Sequence, residues 1–269
     1  MKYETIRYSP IDAIGIIELN RPERMNAVTE KMYKEIQEIL DSTSLDPDVR
    51  AIILTGSVLK KSSGEIQAFC AGADLKDHAA GKRTPAQRRD YILLAQETTR
   101  RIYDFPKPVI AAVNGPARGA GSEMALNCDF IFMADTASIA FPETGLGTFV
   151  GGGATYHLPR LVGLAKAKEI IYSGKVLYGK AAVEFGLALN SFPVERLLDE
   201  SIAFAQMLTE KAPISMQHAK MILQGGLHLD IDPVVRLEAE AILSCMETSD
   251  WHEGIRSFKE KRKPVYRGR

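Results

Sequence analysis

Two glutamates and two stretches of very small residues are the parts of this chain whose types and spacing could do chemistry. Glu123 follows Gly119-Ala120-Gly121-Ser122, and Glu143 precedes Gly145, Gly147 and the run Gly151-Gly152-Gly153. A lone loop glutamate is most often a solvated charge. Two carboxylates facing one cleft are a different matter. Each perturbs the other's protonation, so that one can act as acid while the other acts as base.

The small-residue stretches bring backbone rather than side chains. Phe69-Cys70-Ala71-Gly72-Ala73-Asp74-Leu75 places three small residues directly after an apolar run. Small side chains let the main chain approach a ligand closely. Successive amides at such a turn can form an anion-binding concavity, although an ordinary tight turn has the same composition. Asn114-Gly115-Pro116-Ala117-Arg118-Gly119-Ala120-Gly121 lies between an expected strand and an expected helix. That position leaves N–H groups free at a helix start. The segment lacks the Gly-Lys-Ser/Thr ending of a P-loop and the G-x-G-x-x-G spacing of a dinucleotide fold. Its amides could instead donate to a developing oxyanion.

The elements that must position these residues alternate in type. Residues 14–19 read as a short strand ended by the Asn20-Arg21-Pro22 turn. Met32, Ile36, Ile39 and Leu40 share one face of a helix expected over 29–43. Buried strands are expected at 50–56 and 108–113, with a polar loop at 57–68 and a further apolar strand at 66–70. A helix is expected over 86–103, a short one from 119–121, and strands at 129–134 and 137–141. From residue 155 the pattern is almost wholly helical, with segments near 164–173, 179–185, 197–211, 213–223, 232–247 and 250–260. Strands alternating with helices indicate a layered α/β architecture with parallel pairing. We expect a core over 1–195 and a helical region over 196–269 that packs on it and on neighbouring subunits.

Composition narrows the function classes. The 269 residues carry 34 Lys plus Arg and 34 Asp plus Glu, a net charge of zero. That balance argues against a general polyanion binder. Three cysteines, Cys70, Cys128 and Cys245, lie far apart, which suggests a reducing compartment and no disulfide framework. The five histidines show no metal-ligand spacing. No apolar run reaches the roughly 20 residues that span a bilayer, and the N-terminus has no signal-peptide pattern. A cytoplasmic protein is expected, with no membrane or nucleic-acid partner.

Read together and in order, several stretches resemble the crotonase superfamily, the enoyl-CoA hydratases and isomerases. They are Leu19-Asn20-Arg21-Pro22-Glu23-Arg24-Met25-Asn26-Ala27, Ala71-Gly72-Ala73-Asp74-Leu75, Ala112-Val113-Asn114-Gly115, Phe141-Pro142-Glu143, and the C-terminal run Glu253-Gly254-Ile255-Arg256-Ser257-Phe258-Lys259-Glu260-Lys261-Arg262-Lys263-Pro264. The resemblance implies a spiral of repeated ββα units with a helical C-terminal trimerisation region. It implies that the amides of Ala73 and Ala120 bond the thioester carbonyl oxygen. Residue 120 is usually glycine in the family; alanine keeps the N–H and could narrow the acyl pocket. Glu123 and Glu143 match the two glutamates of the hydratases, where many isomerases keep one. Hydration of an enoyl-CoA thioester is therefore the implied reaction, with Glu123 as base and Glu143 as proton donor.

The resemblance also implies the nucleotide contacts. Backbone atoms of Ala71, Asp74 and Leu75 would lie at the adenine, and Arg24 near the phosphates. Lys259 and Lys263 would reach phosphates of the same or a neighbouring subunit, although that basic run also reads as a solvated helix face. No cofactor is implied, since CoA is part of the substrate, and the assembly implied is a homotrimer or a dimer of trimers. Two departures from the family stand out. Val150 replaces a common proline, and Thr155-Tyr156-His157 replaces a frequent Thr-Gln-Arg. We expect Phe149 and Tyr156 to pack, and residues 76–90 to wall the acyl pocket. Two rival functions remain at this stage: a double-bond isomerase using mainly Glu143, and a non-catalytic acyl-CoA or RNA binder.

Overall fold

The computed structural model describes residues 3–62, 64–74 and 83–269. The core is a six-stranded sheet in the order β1-β2-β3-β6-β8-β11. Its strands are β1 (Ile6–Ile11), β2 (Ile14–Leu19), β3 (Ala51–Gly56), β6 (Val109–Val113), β8 (Phe130–Ala134) and β11 (Asn190–Phe192). β1 and β2 form an antiparallel hairpin, and every other neighbour pair is parallel. A parallel strand must be covered on both faces, and it therefore reads as a continuous apolar run. β3 and β6 do so, and both are buried along their whole length.

The crossover helices cover the sheet. Helix α1 (Glu30–Ser44) starts where Thr29 accepts from Met32 N, and it buries Met32, Tyr33, Ile36, Ile39 and Leu40. Helix α2 (Pro85–Asp104) opens with a full capping box between Thr84 and Gln87 and packs on α1. Such caps satisfy N–H groups that the helix itself cannot. A small sheet of β7 (Ala117–Arg118), β9 (Ser138–Ala140) and β10 (Leu177–Tyr178) holds the next elements. Around it lie α3 (Ala120–Leu126), α4 (Ala154–Val162), α5 (Leu164–Ser173) and α6 (Gly179–Phe185).

Helix α7 (Val194–Thr209) lies on the main sheet and buries Leu197, Ser201 and Ala205 at four-residue spacing. The expected boundary at 195/196 thus falls within its first turn. Beyond it come α8 (Pro213–Gly226), α9 (Ile231–Met246) and α10 (Ser249–Glu260). These three bury only Ala241, Asp250 and Ser257 between them.

The elements differ from the sequence expectation where they are short. β1 was not expected, because five of its six residues are partly or fully exposed and give no apolar run. The expected strand over 66–70 is instead the end of a hairpin, β4 (Leu59–Lys61) with β5 (Gly64–Ile66), followed by a lone bridge from Cys70 to Ala117. Phe69 and Cys70 are apolar because they are buried, not because they run in a long ladder.

Three loops leave the C-terminal ends of β2, β3 and β6 side by side, and buried amide side chains tie them together. Asn26 donates to the carbonyls of Ser57 and Ala68 and accepts from Arg21 N and Ser57 Oγ. Asn114 accepts from Gly56 N and donates to Gly56 O and to Gln67 Oε1. Ligands of open α/β sheets bind at this end of the strands.

Candidate active site

The turn after Cys70 and the start of α3 each present one unspent amide. In a parallel bridge the flanking residues bond the partner, so the central residue's own N–H points away from it. Val28 N donates to Gly72 O, and Asp74 N donates to Val28 O. This bridge turns the Ala73 N–H away from Val28, and that amide has no acceptor among the described residues. Ala120 is the first residue of α3, where no carbonyl lies one turn back. Its N–H likewise has no acceptor among the described residues. Both residues are partly exposed.

Gly72 brings the two together. Its φ of +94° suits glycine, and a Cβ there would sit 2.8 Å from Arg118 O and 3.8 Å from Ala120 N.

Both carboxylates lie beside these amides. Glu123 is carried on the first turn of α3 and is 8% exposed. Its Oε1 accepts from Gly151 N at 2.6 Å. Burial pushes its pKa up to about 7, offset in part by the Gly151 bond and raised further by the charge of Glu143. Glu143 starts a 3₁₀ turn, Glu143–Leu146, after Pro142. Burial raises its pKa as well, against the opposing effect of its own backbone amide. Its Oε2 is buried without a hydrogen-bond partner among the described residues. These are two coupled carboxylates with raised pKa values, which is the condition for dividing acid and base work near neutral pH.

Glycines make the room for them. Gly119 has φ +47° and ψ −118°, and a Cβ on it would lie 2.5 Å from Glu143 Oε1. Gly119→Ala is therefore expected to displace Glu143 and strain the turn that presents the Ala120 amide. A fall in kcat of about 10²-fold or more is anticipated, by loss of one acid–base partner. Steady-state kinetics beside a thermal melt checks this, and wild-type kcat would refute it.

Two residues that the sequence did not single out, Gln96 and Asn127, hold the glycine loop against Glu123. Gly152 N donates to Gln96 Oε1 at 3.1 Å. Asn127 Nδ2 donates to Gly152 O and to Glu123 O. A Cβ on Gly151 would lie 3.2 Å from both Glu123 oxygens. The Gly151-Gly152-Gly153 run was the only visible signal of this clamp. Gln96 reads in sequence as one more polar residue on a helix surface.

The expected CoA contacts separate into groups. Arg24 is exposed on the 3₁₀ turn Pro22–Arg24, and its guanidinium makes no ion pair among the described residues. The next residue's carbonyl, Met25 O, accepts from Ala71 N, which puts Arg24 at the rim of the Ala71–Asp74 turn. The amides of Ala71 and Asp74 are both spent on backbone, on Met25 O and Val28 O. The Asp74 carboxylate is held by Arg21 at 3.1 Å, and Arg21 also donates to Ala27 O. Leu75, and residues 76–82 of the expected acyl wall, lie outside the described residues. Arg83, midway along that wall, pairs with Glu30 and covers the Tyr91 ring.

Within one chain Lys259 and Lys263 are not brought to the site. Lys263 pairs with Glu210, and the adjoining tail bonds Arg50 at the start of β3, the opposite end of the sheet. Lys259 is exposed on the last turn of α10. The expected packing of Phe149 does not occur in the single chain, where it is 69% exposed on a projecting loop. Tyr156 does pack, between His157, His228 and Arg160.

Among the described residues no group of three His, Cys, Asp or Glu could hold a metal ion, and no helix is long and apolar enough to cross a membrane.

The chain is similar to known proteins along nearly its whole length. The chain superposes on the crystal structure of enoyl-CoA hydratase from Bacillus anthracis with a TM-score of 0.92 and 35% identity, covering 99% of this chain and 100% of that one. It has the crotonase fold, a mixed α/β architecture with C-terminal helices. It is 36% identical over 263 residues to crotonyl-CoA hydratase of Syntrophomonas wolfei, covering 98% of each. It is 32% identical over 250 residues to short-chain-enoyl-CoA hydratase of Clostridium acetobutylicum, covering 93% of this chain and 92% of that one. Residues 11–269 match the pattern of the enoyl-CoA hydratase/isomerase family, to which this chain belongs.

Proposed function

We propose that this chain is an enoyl-CoA hydratase, a hydro-lyase that adds water across the 2,3 double bond of an acyl-CoA thioester. The observation that carries the reading is the placing of two amides that meet no acceptor among the described residues, Ala73 and Ala120, near the buried carboxylate of Glu123 and the half-buried one of Glu143.

The amides donate to the thioester oxygen as it gains negative charge, and this makes C3 electrophilic. Each such donor is worth about 2.7–4 kcal/mol in the transition state. Water lies between the carboxylates. Glu123, its anion steadied by the Gly151 N–H, takes one proton as the oxygen bonds to C3. Glu143, whose Oε2 no donor among the described residues meets, gives its proton to C2. The product gains one water, and the proton returns from Glu123 to Glu143 through solvent before the next turnover. Burial raises both pKa values, and the macroscopic titration belongs to the pair rather than to either residue. CoA enters as part of the substrate, with Arg24 and the backbone of the Ala71–Asp74 turn at its nucleotide end.

The exposed apolar side chains of α8 to α10, among them Leu223, Leu227, Ile231, Ile242 and Phe258, support a homotrimer or dimer of trimers. A face this apolar is uncommon on a monomer. In that assembly Lys259 and Lys263 serve the site of a neighbouring copy.

The test is product analysis with crotonyl-CoA. Formation of the 3-hydroxyacyl thioester is expected. Interconversion of 2-enoyl and 3-enoyl thioesters with no water added would assign an isomerase instead. Turnover that survives in the Glu123→Gln, Glu143→Gln double variant would remove both carboxylates from the mechanism.

A further inference from the structure

Behind the Gly151-Gly152-Gly153 loop lies a cavity of about 800 Å³, walled by α2, the first turn of α4 and one face of α8. That volume is in the range of small-ligand sites. It begins next to the catalytic carboxylate. Gln96 Nε2 lies 2.8 Å, and both Glu123 oxygens 3.2 Å, from the point where a side chain on Gly151 would start. Gln96 itself lines the cavity, as does Gly152, whose N–H it holds.

The wall has hydrogen-bond donors to spare. The Gln96 oxygen is used by Gly152, while its Nε2 donates to nothing among the described residues. Arg100, one turn further along α2, spends its Nε on Asp104 and leaves both terminal nitrogens without a hydrogen bond among the described residues. His157 meets the cavity from α4, and its ring packs at a tilt against Tyr103 and edge-to-face against Tyr156. Burial, helped by the nearby charges of Arg160 and Arg100, keeps that ring neutral, so it has one N–H to give. Lys220 is already spent, on Asp129 and on Lys107 O. An alkyl chain laid along this wall would leave the Gln96 amide and the His157 N–H unmet, at a cost for each, while the Arg100 side chain stays largely in solvent. An oxygen acceptor would satisfy them, and a carboxylate would do so with charge-assisted bonds.

We propose that this cavity takes the distal end of the acyl group, and that the preferred substrates are 2-enoyl-CoA thioesters ending in a carboxylate or another oxygen acceptor, met first by Gln96 and then by Arg100 and His157. This rests on the hydratase reading above and specifies its substrate class. Gln96, Arg100 and His157 are thereby specificity-determining residues.

The experiment compares kcat/KM of the full chain for three thioesters: crotonyl-CoA, trans-2-hexenoyl-CoA, and the six-carbon 2-enoyl-CoA that ends in a free carboxylate. We expect the carboxylate-ended substrate to exceed hexenoyl-CoA by tenfold or more. Gln96→Leu and Arg100→Leu should each reduce that ratio at least tenfold, and Arg100→Lys should retain most of it. A ratio between two substrates of one variant is insensitive to any general loss of folded enzyme. Hydration of crotonyl-CoA with hexenoyl-CoA equal to or better than the carboxylate-ended substrate overturns this proposal alone. A preference that persists in both leucine variants also overturns it, by placing the tail elsewhere. Failure to hydrate any of the three sinks the hydratase reading and this one with it.

Discussion

Glu123→Gln is expected to lower kcat for hydration by about 10²–10⁴-fold, the usual worth of a positioned base, while KM changes little. The neutral amide keeps the shape of the carboxylate and can still meet the Gly151 N–H, but it cannot accept the proton of water. The same substitution has an opposite effect on stability. The Glu123 pKa is raised from its ordinary value of 4.5 to about 7. A group raised in the fold contributes stability that is fully present below its unfolded value and is lost as pH rises through its folded value. The wild-type chain should therefore lose roughly 3 kcal/mol between pH 4 and pH 8 through this residue. Glutamine does not titrate and loses none of it. Thermal melts of both proteins at the two pH values should show the variant gaining on the wild type at pH 8. An unchanged gap would mean that the buried carboxylate is not the strained group described here. In the wild type, kcat/KM should rise with pH toward about 7 as the pair gives up the proton that blocks the base.

Ala120→Pro is the second substitution with a large expected effect, because it removes an N–H without removing a side chain. Proline is well tolerated at the first position of a helix, where the missing donor has no intrahelical acceptor. Ala120 holds that position in α3. The residue before a proline must be extended, and Gly119, with ψ −118°, has the mirror image of an extended ψ, which an achiral residue adopts freely. The fold should therefore survive, with a far-ultraviolet circular dichroism spectrum like that of the wild type. kcat should fall by about 10²–10³-fold, the loss of one oxyanion donor. Ala120→Gly keeps the N–H and should keep the activity. If the proline variant is folded and turns over within fivefold of wild type, the Ala120 amide is not a donor to the thioester.

The two substitutions probe different halves of the site. One removes a proton acceptor whose pKa is set by burial and by a second carboxylate. The other removes a dipole whose direction is set by a glycine turn and a helix start. A site built from backbone donors tolerates side-chain variation around them, and so alanine at 120 is compatible with the same chemistry. It also depends on glycines that admit no substitute, and Gly72 and Gly119 are such positions.

Much of the fold was legible from periodicity. Helices α5 and α6 have the expected bounds, and β2, β3, β6 and α1 are within a residue or so of theirs. Each has a continuous or three-four apolar pattern that burial enforces. β1, β10, β11 and the β4–β5 hairpin have too few residues, or too much exposure, for any such pattern. The candidate site was legible in part for a different reason. Glu123, Glu143 and the two small-residue turns are unusual in type for their local positions, and a resemblance to known enzymes joins them.

What the sequence determined by itself, then, is which groups are available: two carboxylates, two turns rich in N–H, and the strands and helices that carry them. The tertiary structure decided which groups meet. The Val28 bridge turns the Ala73 amide outward, burial and Glu143 raise Glu123, Arg21 occupies Asp74, and Gln96 stands beside Gly151. The physical reason is that local pattern is set by short-range backbone preference and by burial of one face. Hydrogen-bond direction and pKa are instead set by neighbours dozens of residues away in the chain, which only packing brings within a few ångströms.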